Sequence, residues 1–108
     1  MADQGRDTLD VARNAQTVEW LKAELVSAVA AVLHAFQRGR EEQVADALAG
    51  VLLLTYLLGR RLGISPGRLE QRFAARVHAH LADGHELERW YGDLSALAAH
   101  LDGRRAPR

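Results

Sequence analysis

Two carboxylates stand out by their surroundings. Asp46 is the one charge in the run VADALAGVLLLTYLL, residues 44–58. An acid in such a run is costly to bury unless it is neutralised, paired or bound to a cation. Glu24 lies beside Leu25, with Ala28, Ala31 and Ala35 on the same side of a helix. That small-residue side lets another helix approach closely, so the two acids are the candidate site. A structural reading stands beside it, in which Glu24 and Asp46 hydrogen-bond to Ser27, Gln43, Thr55, Trp20 or a partner chain.

The other polar groups carry weaker signals. His78 and His80 are two apart, which turns them about 200° from each other on a helix, so they cannot chelate one ion. His80 and His85 are separated by the Asp83-Gly84 break. Arg68, Arg72, Arg76 and His80 form an i, i+4 ridge that reads as a solvated face before a phosphate site. Arg89 is placed to pair with Glu86 or Asp93. Trp90 and Tyr91 read as core or interface anchors. The sequence contains no Gly-rich phosphate loop, nucleophile elbow or catalytic triad.

The elements that position these residues are helices. Residues 1–13 read as a loose polar segment with one turn near 9–12. A first helix is expected from Thr17 to Arg38, capped by Asn14 or Thr17 and stopped at Gly39. Its inward face is Val18, Leu21, Leu25, Val29, Val32 and Phe36, which step by three or four. The second helix is expected from Glu41 to Leu62, with acids at its start, Arg60 and Arg61 at its end, and Gly63 as the stop. Ser65-Pro66 starts a third, to Ala82, with Leu69, Phe73, Val77 and Leu81 inward. A fourth covers 86–101, with Leu87, Trp90, Leu94, Leu97 and Leu101 inward and Gly92-Asp93 as the point where it can break and restart. The tail GRRAPR is basic and expected to fray. The fold class is therefore all-α, an antiparallel four-helix bundle spanning 14–102, between a flexible 1–13 and a basic 103–108. The second helix is apolar nearly all round from Leu48 to Leu58, which predicts cover by a second copy in a two-fold homodimer.

In an antiparallel hairpin turning near residue 39, Glu24 is 15 positions before the turn and Asp46 is 7 after it. The two acids are not level. They meet only across a staggered hairpin or across a dimer interface.

These residues reach a family resemblance. Glu41-Glu42-Gln43-Val44-Ala45-Asp46-Ala47-Leu48, then the aliphatic run and Leu62-Gly63-Ile64, resembles the second conserved helix of the MazG-like all-α nucleoside triphosphate pyrophosphohydrolases. Leu21-Lys22-Ala23-Glu24-Leu25, through Phe36, resembles the helix before it. The stretches from Val18 to Leu25 and from His85 to Asp93 resemble a short bacterial branch of MazG-like proteins. The resemblance covers about residues 14–102. It implies an oligomeric bundle in which a Glu-x-x-Glu and a Glu-x-x-Asp motif hold magnesium, which grips a nucleoside triphosphate and activates water to release pyrophosphate. This chain keeps Glu24 and Asp46 as the metal ligands of that pattern. Ser27 and Gln43 stand where the other two acids belong, and Glu42 sits one residue off register. The expectation is a weakened magnesium site and slow or absent turnover of nucleotides. The alternative is a non-catalytic oligomeric helical module that binds a protein partner or a nucleotide.

Bulk properties bound these readings. A chain of 108 residues, 48% hydrophobic, suits one core. Fourteen Lys and Arg balance fourteen Asp and Glu, which argues against a dedicated nucleic-acid partner. Cysteine is absent, so disulfides, thiol catalysis and thiolate zinc sites are excluded. The N-terminus has no signal-peptide pattern. The longest apolar run is short for a bilayer and is interrupted by Asp46, so a cytoplasmic protein without a membrane partner is expected.

Overall fold

The computed structural model describes residues 2–105, with side chains placed for 8–103. Five helices follow one another: α1 (Ala2–Arg38), α2 (Glu41–Arg61), α3 (Pro66–Asp83), α4 (Glu86–Tyr91) and α5 (Asp93–Arg105). No strand occurs among the described residues. The expected all-α class holds, with five helices in place of four. The chain divides into two units, one up to Pro66 and the other from Gly67.

The first unit is the hairpin of α1 and α2. α1 begins at Ala2, not Thr17, so the segment read as loose is helical from residue 2 onward. Residues 2–13 contain no proline, and Gly5 is their one glycine. The two residues expected to cap the helix are used otherwise. The Thr17 hydroxyl donates to the Arg13 carbonyl at 2.8 Å, one turn back. The Asn14 side-chain amide donates to the Arg61 carbonyl at 3.1 Å, tying α1 to the end of α2. Gly39 makes the turn between the helices, its amide bonded to the Ala35 and Phe36 carbonyls.

α2 ends in a glycine cap. Gly63 has φ +83°, the left-handed region that a side chain resists. With that turn in place, the Ile64 amide donates to Gly59 at 2.8 Å and the Gly63 amide to Arg60 at 3.1 Å. The pattern satisfies carbonyls that the helix end leaves open.

Two helices cover only a stripe of each other. Leu21, Ala35 and Gly59 are buried. Val18, Leu25, Val32, Val44, Val51, Leu54 and Leu58 are half-buried. Val29 and Phe36, expected inward, are exposed, because α1 turns its Leu21–Ala28–Ala35 side to α2. α2 as a whole is long and apolar enough to cross a membrane by length and composition, since it extends past the apolar run at both ends.

The second unit is α3, α4 and α5. Its core is Ala74, Val77, Ala98 and Leu101, with Leu81, Leu94 and Leu97 packed against it. Phe73 and Leu87, expected inward, are each 42% exposed, and Trp90 is more exposed still. The expected fourth helix is broken at Gly92, which has φ +69° and whose amide closes α4 onto the Glu88 carbonyl at 2.9 Å. Within the expected basic tail, residues 103–105 continue α5, and 106–108 lie outside the described residues.

Candidate functional site

Register along the hairpin decides what the carboxylates can do together. At the open end, Thr17, Trp20 and Leu21 share a groove with Leu57, Arg60 and Arg61. At the turn end, Ala31, His34, Ala35 and Arg38 share a groove of about 580 Å³ with Glu42, Gln43, Asp46 and Ala47. Leu21 therefore stands level with Leu57, and Ala35 with Gln43. By the same register Asp46 is level with Val32 and Glu24 with Leu54. The two acids are roughly eight residues apart along the hairpin, or about 12 Å at 1.5 Å per residue.

Both acids nevertheless lie on one side of the hairpin. On α1 the groove positions Thr17, Leu21, Ala31, Ala35 and Arg38 repeat with the helical period, and Glu24 falls in the same series. On α2, Asp46 and Leu57 belong to one series that also contains Gly50 and Leu53. Glu24 is half-buried and Asp46 is exposed. The burial penalty inferred from the apolar run around Asp46 does not arise within one chain, because α2 turns Val44, Ala47, Val51, Leu54 and Leu58 to α1 instead. Among the described residues neither acid has a hydrogen-bond or ion-pair partner. The Thr55 hydroxyl, one of the partners considered for them, donates to the Val51 carbonyl.

Within one chain this donor set does not fit magnesium. Among the described residues no three His, Cys, Asp or Glu side chains come close enough to hold one metal ion. A hard dication needs several oxygens at one point, and Ser27 and Gln43 supply no charge. Glu42 and Asp46, one turn apart, border the same groove as His34 and Arg38. That groove therefore has an acidic wall on α2 and a basic wall on α1, over a floor of alanines. Sequence reasoning missed His34 and Arg38 here. The signal was available in their i, i+4 spacing, but only the register showed what they face.

The second unit holds the strongest polar constellation. The Glu88 carboxylate accepts the Ser95 amide at 2.8 Å and the Ser95 hydroxyl at its other oxygen. It caps α5 from across the Gly92 break. The Ser95 hydroxyl and then the Ser95 amide hold Glu88 below the usual carboxylate range. At the start of α4 the His85 ring accepts the Leu87 amide at 3.1 Å through Nδ1, and its edge meets His80 with centroids 5.1 Å apart. The ridge of Arg68, Arg72, Arg76 and His80 is exposed.

The family model of the MazG-like family matches residues 11–94. The chain belongs to the MazG-like family. The match spans both acids, α1 from Val11 onward, all of α2, and the second unit as far as Leu94. No curated protein and no solved structure matches the chain.

Proposed function

We propose that this MazG-like chain is a helical module on the nucleotide pyrophosphohydrolase scaffold, with a partly lost carboxylate site and slow or no turnover of nucleoside triphosphates. One observation carries the reading. Of the four acids the family pattern uses, Glu24 and Asp46 remain, and in one chain they stand about 12 Å apart along the hairpin. Releasing pyrophosphate needs negative charge to hold a dication and a dication to activate water. Ser27 and Gln43 can hydrogen-bond but add no charge.

The exposed leucines favour a second reading within the same scaffold. Leu48, Leu52 and Leu53 on α2 are 49%, 61% and 58% exposed. A helix apolar on several sides is covered in its working state. The module then acts by self-association, as a homodimer, and binds a protein partner or a nucleotide without hydrolysing it.

The two readings part on metal-dependent chemistry. Pyrophosphate release is followed across canonical and modified nucleoside triphosphates, with and without magnesium. The proposal expects slow magnesium-dependent turnover or none, and the second reading expects none. Robust turnover that Asp46→Asn abolishes refutes the lost site.

A further inference from the structure

We propose that the open end of the α1–α2 hairpin binds a small aromatic carboxylate, with its ring on Trp20 and its carboxylate at Arg60 and Arg61. The groove there has a volume of about 360 Å³, small for a ligand site, and is lined by Thr17, Trp20, Leu21, Leu57, Arg60 and Arg61. It is separate from the groove of Asp46, since Leu57 lies about eleven residues further along α2, or about 16 Å at 1.5 Å per residue.

The two arginines are free to take an anion. Arginines in the last turn of a helix ordinarily complement its open carbonyls and its dipole. Here those carbonyls are already satisfied. The Leu58 carbonyl accepts the Leu62 amide at 3.2 Å, Gly59 accepts the Ile64 amide at 2.8 Å, and Arg60 accepts the Gly63 amide at 3.1 Å. The Arg61 carbonyl accepts the Asn14 side chain at 3.1 Å. Both arginine side chains are exposed, and among the described residues neither has a hydrogen-bond or ion-pair partner. No acid lines the groove among the described residues. Glu19, beside Trp20 in the chain, is held by Lys22 at 2.9 Å. A planar guanidinium fork matches a carboxylate.

Trp20 supplies the other half of the site. It is 59% exposed, and among the described residues no other ring stacks on it. An exposed indole offers a large apolar surface that pairs with another ring. Leu21 and Leu57, 3% and 39% exposed, continue that apolar surface across the groove. By the hairpin register Trp20 stands level with Leu58, and Thr17 with Arg61. The stacking surface and the charged end are therefore about 4.5 Å apart along the axis. That spacing suits a carboxylate bonded to its ring directly or through a short link, whereas a nucleotide carries its phosphate beyond a sugar. Glu24, one turn from Leu21 toward the turn end, directs the carboxylate to the arginine end.

The test is titration of the full chain at neutral pH and low salt with 2-naphthoate, its uncharged amide, cyclohexanecarboxylate and adenosine monophosphate. Calorimetry gives the affinities. The indole N–H signals of Trp20 and Trp90, the two tryptophans, give the location by nuclear magnetic resonance. The naphthoate is expected to bind with a Kd on the order of 1 mM or tighter, as its size allows. It shifts the Trp20 signal saturably and leaves Trp90 unmoved. The amide, the non-aromatic acid and the nucleotide each bind at least tenfold more weakly. Trp20→Leu and the double variant Arg60→Gln, Arg61→Gln each weaken naphthoate binding at least tenfold, with helix content by circular dichroism retained. No saturable shift, an equal shift at Trp90, or unchanged binding in either variant overturns the site. Equal binding of acid and amide overturns the role of the arginines, equal binding of the non-aromatic acid overturns the stack, and tighter binding of the nucleotide overturns the ligand class.

Discussion

Restoring the family's acids one at a time measures the hairpin register directly. The variants are Ser27→Glu, Gln43→Glu and the double. An acid introduced at position 27 lies one turn from Glu24, and one at position 43 lies one turn from Asp46. A dication about 4 Å from an added charge gains about 2 kcal/mol in water, cut to about 1.4 at 0.1 M salt. That is about tenfold in magnesium affinity for each single variant. The two pairs remain about 12 Å apart, where the same attraction is about 0.7 kcal/mol before screening and about 0.2 after it. The double variant should therefore show two separate weak sites, with each affinity within about twofold of its single variant. Magnesium titration by calorimetry, with manganese as a second probe, gives both the affinity and the number of sites. One site bound more than tenfold tighter than either single variant, in a sample that sediments as a monomer, would refute the register.

Two further outcomes concern the second unit. Val77 is 3% exposed against Ala74, Ala98 and Leu101, so Val77→Ala removes buried methyl groups and should cost about 1–2 kcal/mol, read as a lower denaturant midpoint. Glu88, held below the usual carboxylate range by Ser95, contributes stability that is fully present at neutral pH and lost as pH falls through its depressed value. The acid limb of the helicity curve should therefore shrink in Glu88→Gln, and an unchanged limb would show that the cap does not support α5.

The helices themselves were legible in the sequence because helical signals are local. Gly39, Gly63 and Asp83-Gly84 mark the ends of α1, α2 and α3, and Pro66 marks the start of α3, all within one turn of the expected positions. One boundary, the start of α1, escaped. Thr17 and Asn14 look like caps, yet each sits inside α1 with its side chain bonded elsewhere, because a polar residue caps only where the helix has already stopped. The Glu88–Ser95 cap spans seven residues and a break, so no short motif announces it.

The acids show the same division. Residue type and spacing alone identified Glu24 and Asp46 as the remaining members of a four-acid pattern, with Ser27 and Gln43 as the neutral replacements. That information lies along single helices, where residues three apart share a face whatever the rest of the chain does. Tertiary structure decided that the two acids share one side of the hairpin but not one level, that Asp46 is exposed, and that His34 and Arg38 face Glu42 and Asp46 across a groove. Those facts depend on how far α1 slides along α2. A shift of a few residues leaves every helical pattern intact and changes every cross-helix neighbour, so the contacts between the helices set it.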